Sequence, residues 1–138
     1  MRYDRQIILP EIGEEGQNKL QKAKVLIVGV GGLGSPIALY LAGAGVGCLG
    51  LVDDDSVSIS NLQRQVLYSE EELGKPKVVC AAHRLTSLNS EIETRYYSTR
   101  LTAENADRII QEYDIVVDGC DNFDTRYLIN DICIKQGK

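Results

Sequence analysis

Gly29, Gly31 and Gly34 form a Gly-x-Gly-x-x-Gly turn directly after the apolar run Lys24–Val28 and directly before a helix-competent segment. A strand, a glycine turn and a helix in that order bring backbone N–H groups and a positive helix end against a nucleotide phosphate. Alone, the turn specifies a nucleotide but not its fate. Asp53 closes the next apolar run, where a carboxylate can accept hydrogen bonds from ribose hydroxyls, with Asp54 and Asp55 behind it. A triphosphate requires more than a nicotinamide cofactor does, namely cations and usually Mg²⁺ at its phosphates. Arg64, in Asn61-Leu62-Gln63-Arg64-Gln65, supplies a guanidinium whose fixed fork suits phosphate. Lys77 opens a helix, where a cation opposes the macrodipole unless an anion is near, and Lys75 can share its role. Asp121, in Asp118-Gly119-Cys120-Asp121-Asn122, is a natural Mg²⁺ ligand. Each residue also has a plainer use: Asp53 and Asp121 as caps, Asp54 and Asp55 as solvated loop, the cations as surface charges.

Alternating elements must position these groups. Strands are expected at Lys24–Val28, Cys48–Val52, Ile92–Tyr97 and Asp114–Asp118. Helices are expected from Ser35-Pro36 to Gly43-Ala44-Gly45, then over Lys77–Leu88, Ala103–Gln111 and Asp124–Lys135. A polar loop with a short helix fills the gap to Leu67. Residues 1–22 read as an arm or helix outside the main unit, and residues 23–138 as a nucleotide-binding α/β domain. Right-handed crossovers give a Rossmann-like, doubly wound, mainly parallel sheet with helices on both faces, in the order 3-2-1-4. Ligands of such sheets bind beyond the carboxyl ends of the strands. The segments Gly29–Gly34, Asp53–Asp55 and Gly119–Asn122 each follow a strand, so all three should converge there. A fifth strand would normally follow the last helix, so the fold reads as truncated after its fourth βα unit, with strand four at or near a sheet edge.

Bulk properties remove other classes. With 138 residues, 43% of them hydrophobic, the chain can bury a core without disulfides or metal. A net charge of −5 without a basic block disfavours nucleic-acid binding. Cys48, Cys80, Cys120 and Cys133 form no C-x-x-C pair, so free thiols in a reducing cytoplasm are expected rather than a zinc site. Val25–Val52 carries no charge, yet Pro36 and the glycines divide it into short elements rather than a membrane span. His83, the lone histidine, lies within an expected helix and reads as structural or surface.

The glycine turn, Asp53-Asp54-Asp55, Ser60-Asn61-Leu62-Gln63-Arg64-Gln65, Lys75-Pro76-Lys77 and Cys120-Asp121-Asn122, in that order, resemble the ThiF/MoeB/HesA family, relatives of the ubiquitin-activating enzymes. The opening Arg2-Tyr3-Asp4-Arg5-Gln6 is similar to that family's amino terminus. The resemblance implies ATP-dependent adenylation of the C-terminal glycine of a ubiquitin-like sulfur-carrier protein ending in Gly-Gly, in a thiamine or molybdopterin pathway. Leu39–Gly47 and the acidic triplet look most like thiamine-pathway members. By motif, Gly32 and Asp53 would contact adenosine or ribose, with Gly29, Gly31, Gly34, Asp55 and Asn122 also in the cofactor site. Asn61, Arg64 and Lys77 would serve the phosphates, Asp121 would hold Mg²⁺, and Arg5 would reach the ATP of the second subunit of a homodimer. Structural Zn²⁺ on two C-x-x-C pairs, a sulfur-transfer cysteine and much of the carrier-binding surface would fall beyond Lys138. The 138 residues alone are therefore expected to bind ATP but not to complete the reaction. An NAD-dependent oxidoreductase, a non-catalytic carrier-binding subunit and an activator of a tRNA-linked carboxylate are the alternatives.

Overall fold

A computed structural model describes all residues 1–138. Two helices, α1 (Asp4–Ile7) and α2 (Gly13–Lys22), precede β1 (Lys24–Val28). There follow α3 (Gly34–Ala44), β2 (Cys48–Val52), α4 (Lys77–Leu88), β3 (Glu93–Tyr97), α5 (Ala106–Ile110), β4 (Ile115–Asp118) and α6 (Phe123–Gln136). Single 3-10 turns at Ile59–Asn61 and Glu70–Glu72 punctuate the long connection from β2 to α4. The four strands are parallel and ordered β3-β2-β1-β4, as their alternation with helices demands. Helix α5 is shorter than its apolar spacing suggests. The Asn105 side chain accepts from Thr102 N–H and donates to the Arg100 carbonyl, holding the preceding residues in a turn.

Strand period divides the core in two. Val25, Ile27, Leu49 and Leu51 face the side covered by α3 and α4, where Ala38, Ala42, Val78, Ala81 and Leu85 are buried. Leu26, Val28, Cys48 and Val52 face the other side, against Ile109, Ile110, Tyr113 and Ile129 of the α5–α6 layer. The inner strands β1 and β2 are buried almost throughout, whereas β3 and β4 are partly open, with Ile115 exposed on the β4 edge. No helix is long and apolar enough to cross a membrane.

The amino-terminal segment is pinned rather than loose. Asn89, fully buried, donates to the Tyr3 hydroxyl (2.9 Å) and to the Ala42 carbonyl (2.8 Å). Gln6 and Gln17 both donate to the Ala44 carbonyl, at 2.7 and 3.1 Å. The arm thus occupies the carboxyl ends of α3 and α4, the ends farthest from the glycine turn.

Register puts the strand ends level. Val28 is paired with both Val52 and Asp118, and Val52 with Tyr97. At the end of β1 the backbone crosses at very short range. Gly29 has φ 89°, and a Cβ there would meet the Gly119 carbonyl at 2.8 Å. A Cβ on Gly34 would fall inside the Gly29 carbonyl oxygen. Gly34→Ala is therefore expected to lower stability by about 1–3 kcal/mol through forced backbone displacement, read as a fall in thermal midpoint.

Candidate functional site

The strand ends, the glycine turn and the first turns of α3, α4 and α6 enclose a cleft of about 520 Å³. Its wall carries Gly29, Gly31, Gly32, Asp53, Asp54, Asp55, Asn61, Arg64, Lys77, Asp121 and Asn122, gathered from five separate stretches of sequence. Three expected residues are not on it. Gly34 is buried behind the turn, where its bare Cα allows α3 to approach the Gly29 carbonyl. Lys75 lies in a different depression of about 480 Å³, beside His83 and Arg84, because the chain turns at Pro76 before α4. Arg5 is exposed on α1, away from this cleft.

Each wall residue owes its position to local structure. The Ser35 N–H donates to the Gly31 carbonyl (2.9 Å), opening the α3 ladder, so N–H groups just before it have no acceptor within the helix. Asp53 is locked by two backbone donors, Val30 N–H to Oδ2 (3.0 Å) and Asp55 N–H to Oδ1 (2.8 Å). A carboxylate has about four lone-pair sites, so both oxygens can still accept from hydroxyls. Asn61 closes a capping box with Ser58, and Asn122 caps α6 by accepting from Thr125 N–H (2.9 Å). Both asparagines thus spend their Oδ1 on structure.

The cations differ in exposure. Arg64 lies over Gly32 and donates to the Ser60 carbonyl (3.2 Å). Lys77 is only 3% exposed, and its Nζ finds a single partner, Asp55 Oδ2, at 3.4 Å. A long contact to one exposed carboxylate under-satisfies three N–H donors, which leaves a buried ammonium with capacity for an anion.

Five polar side chains of the wall were not assigned roles from sequence: Gln65, Thr99, Arg100, Thr125 and Arg126. Thr99 and Arg100 follow β3, so the rule that located Asp53 and Asp121 was sufficient to find them. Arg126 stands four residues after the α6 cap, donates to the Cys120 carbonyl (3.1 Å) and lies 5.8 Å from the Phe123 ring centroid. Gln65 is buried, and its Oε1 has no hydrogen-bond partner. No sequence pattern distinguishes that state. In all, Arg64, Lys77, Arg100 and Arg126 line the cleft together with Asp53, Asp54, Asp55 and Asp121. Cations and carboxylates gathered in one cleft suit a polyanion that arrives with a divalent cation.

No three His, Cys, Asp or Glu side chains cluster as a metal cage. Asp121 nonetheless fits Mg²⁺, which takes one or two carboxylates and completes its shell with substrate phosphates and water.

The ThiF family model matches residues 3–138. The chain belongs to the ThiF family. This ThiF-family chain is 53% identical over 137 residues to the sulfur carrier protein adenylyltransferase of Thermus thermophilus, covering 99% of itself and 51% of that protein. It is 56% identical over 133 residues to the adenylyltransferase and sulfurtransferase MOCS3 of Culex quinquefasciatus, covering 96% of itself and 30% of that protein. The chain thus spans about half or less of the length of these relatives. Among solved structures it is similar to E. coli tRNA N6-threonylcarbamoyladenosine dehydratase, TcdA, in complex with ATP. That match has a TM-score of 0.93 and 26% identity, over 99% of this chain and 56% of the other. The crystal structure of E. coli MccB with ATP matches with a TM-score of 0.88 and 33% identity, over 98% and 41%.

Cys120 is a poor nucleophile. Burial, then the hydrogen bond to and charge of Asp118, push its thiol up. A raised thiol pKa means less thiolate at a given pH, so iodoacetamide at pH 8 should label the buried Cys120 more slowly than a free small thiol. Peptide mass spectrometry over time reads that rate.

Proposed function

We propose that this ThiF-family chain is the ATP-binding part of an adenylyltransferase acting on the C-terminal glycine carboxylate of a ubiquitin-like sulfur carrier. The pathway served is thiamine or molybdopterin biosynthesis. The observation that carries the reading is Lys77, a nearly buried ammonium with one long ion pair, beside Arg64 on a glycine-turn cleft that also carries Asp121. A nicotinamide cofactor gives this set no shared purpose, and the relatives' names support the choice.

The chemistry asks little of a base. A C-terminal carboxylate is ionised at pH 7, so its oxygen attacks the α-phosphorus directly. The bond from that phosphorus to the bridging oxygen breaks, pyrophosphate leaves and the acyl-adenylate remains. The chain's own residues then act by alignment and by neutralising charge. Asp53 and the glycine turn hold the ribose and the adjoining phosphate. Lys77 and Arg64 offset the charge that builds on the leaving pyrophosphate. Mg²⁺, when bound at Asp121, adds Lewis-acid stabilisation of the phosphates.

Binding isolates this reading from the rest of the protein. The chain should bind ATP in calorimetry with a requirement for Mg²⁺, and should not bind NAD. Lys77→Met keeps the volume and removes the charge. It should weaken ATP binding about 100-fold while leaving the thermal midpoint within a few degrees. Asp121→Ala should abolish Mg²⁺-dependent ATP binding. NAD binding without Mg²⁺-dependent ATP binding would overturn the proposal.

The reading extends to a homodimer in which Arg5 of one copy serves the nucleotide of the other. Its support is that Arg5 lies exposed on α1 and off its own cleft, while the arm that bears it is firmly held. In the whole protein, Arg5→Ala and Lys77→Met variants should each be inactive in carrier-dependent ATP–pyrophosphate exchange. Mixed, they should recover activity, because one composite site then carries both native residues. Failure to complement, with heterodimers present, would exclude action in trans.

A further inference from the structure

Lys75 and His83, residues with no part in the nucleotide cleft, meet at the second depression, of about 480 Å³. Helix α4 lines it with His83, Arg84 and Ser87, and the loop before α4 supplies the rest, from Val66 to Lys75. The chain has 20 acidic side chains against 15 lysines and arginines, yet α4 carries no aspartate or glutamate. Lys75, His83 and Arg84 are exposed, and none of the chain's six ion pairs involves them.

The two glutamates of the depression do not neutralise these groups. Glu72 is held on its own loop, where it accepts from the Ser69 N–H (2.9 Å) and from Ser69 Oγ (3.2 Å). Glu71 forms no ion pair either. The buried part of the lining is fixed. Leu67 N–H donates to Ser35 Oγ (3.1 Å), and the Tyr68 hydroxyl donates to the Val30 carbonyl (2.6 Å). Val66 next to them is 60% exposed.

These features select a ligand. Neighbouring cations without counter-charges call for carboxylates. A compact free polyanion would bring its whole charge against Glu71 and Glu72 as well. An extended peptide separates the two demands, because its acidic and apolar side chains project at different points along it.

We propose that this depression docks an acidic segment of a partner protein, one in which Asp or Glu alternates with apolar residues. Lys75 and Arg84 take its carboxylates, with the planar guanidinium able to hold one through two N–H groups. Val66 takes an apolar side chain. None of the three lines the nucleotide cleft, so this site stands whether or not that cleft takes ATP.

The probe is a pool of short acetylated, amidated peptides in which Asp or Glu alternates with Leu or Val. Added to the isotope-labelled chain, it should shift the amide resonances of Val66–Lys75 and His83–Ser87 and leave Asp118–Asn122 unmoved. Lys75→Gln combined with Arg84→Gln removes two exposed charges that no native ion pair uses. The thermal midpoint should therefore hold while the peptides bind about tenfold more weakly. A pool with Asn and Gln in place of the acids should bind the unsubstituted chain at least as weakly. Absence of binding, shifts confined to other surfaces, or equal affinity for the double variant overturns the proposal. Pyrophosphate is the counter-probe. If it shifts the same amides and binds there more tightly than the peptides, the depression is a free-polyanion site and the docking proposal falls.

Discussion

Three glycine backbones meet where β1 ends, and the rest of the structure depends on that contact. Gly29 turns with positive φ against the Gly119 carbonyl, and Gly34 lies on the Gly29 carbonyl from the other side. Strand β1, the turn after β4 and the start of α3 therefore come closer than side chains would allow. Two results follow at once. The N–H groups opening α3 are exposed at the level of the strand ends, and Cys120–Asn122 is drawn across to the same cleft. A side chain at any of the three positions would push the glycine turn away from the Asp121 side of the cleft.

Charge in the cleft is held under unequal constraints, and this inequality sets its chemistry. Asp53 is immobilised by two backbone N–H groups, so its oxygens are fixed in direction before anything binds. Lys77 is buried with a weak partner and is thus an attractive force in waiting. Arg64, exposed and tethered by one bond, can follow its ligand. A rigid acceptor, a buried cation and an exposed cation complement one another: in the proposed function one orients the sugar, one draws in the phosphates and one adapts as charge shifts along the chain.

Strand order, both core faces and most of the cleft were legible because they depend on local chemistry. Apolar runs, glycine spacing and the residues immediately after each strand are all visible in one dimension. Burial depth was less legible. Lys77 reads equally well as a solvated helix-start cation, and only its packing under the β2–α4 loop makes it a buried ammonium. Gln65 fell inside a quoted motif, yet nothing in its neighbours reveals an unpaired oxygen. The α5 boundary was misplaced because apolar spacing continues through residues that the Asn105 side chain holds in a turn. Lys75 was grouped with Lys77 by proximity in sequence, but the bend at Pro76 sends the two side chains to different depressions.

Chain termini ordinarily fray, opening and closing at almost no free-energy cost. The first residues here do not have that freedom. Releasing Tyr3 removes the only hydroxyl partner of a fully buried Asn89 and exposes the carboxyl end of α3. The first helix therefore belongs to the same cooperative unit as the sheet. In hydrogen exchange its amides should be governed by openings of the core, and trimming three residues from this end would act as a core mutation rather than as removal of a tail.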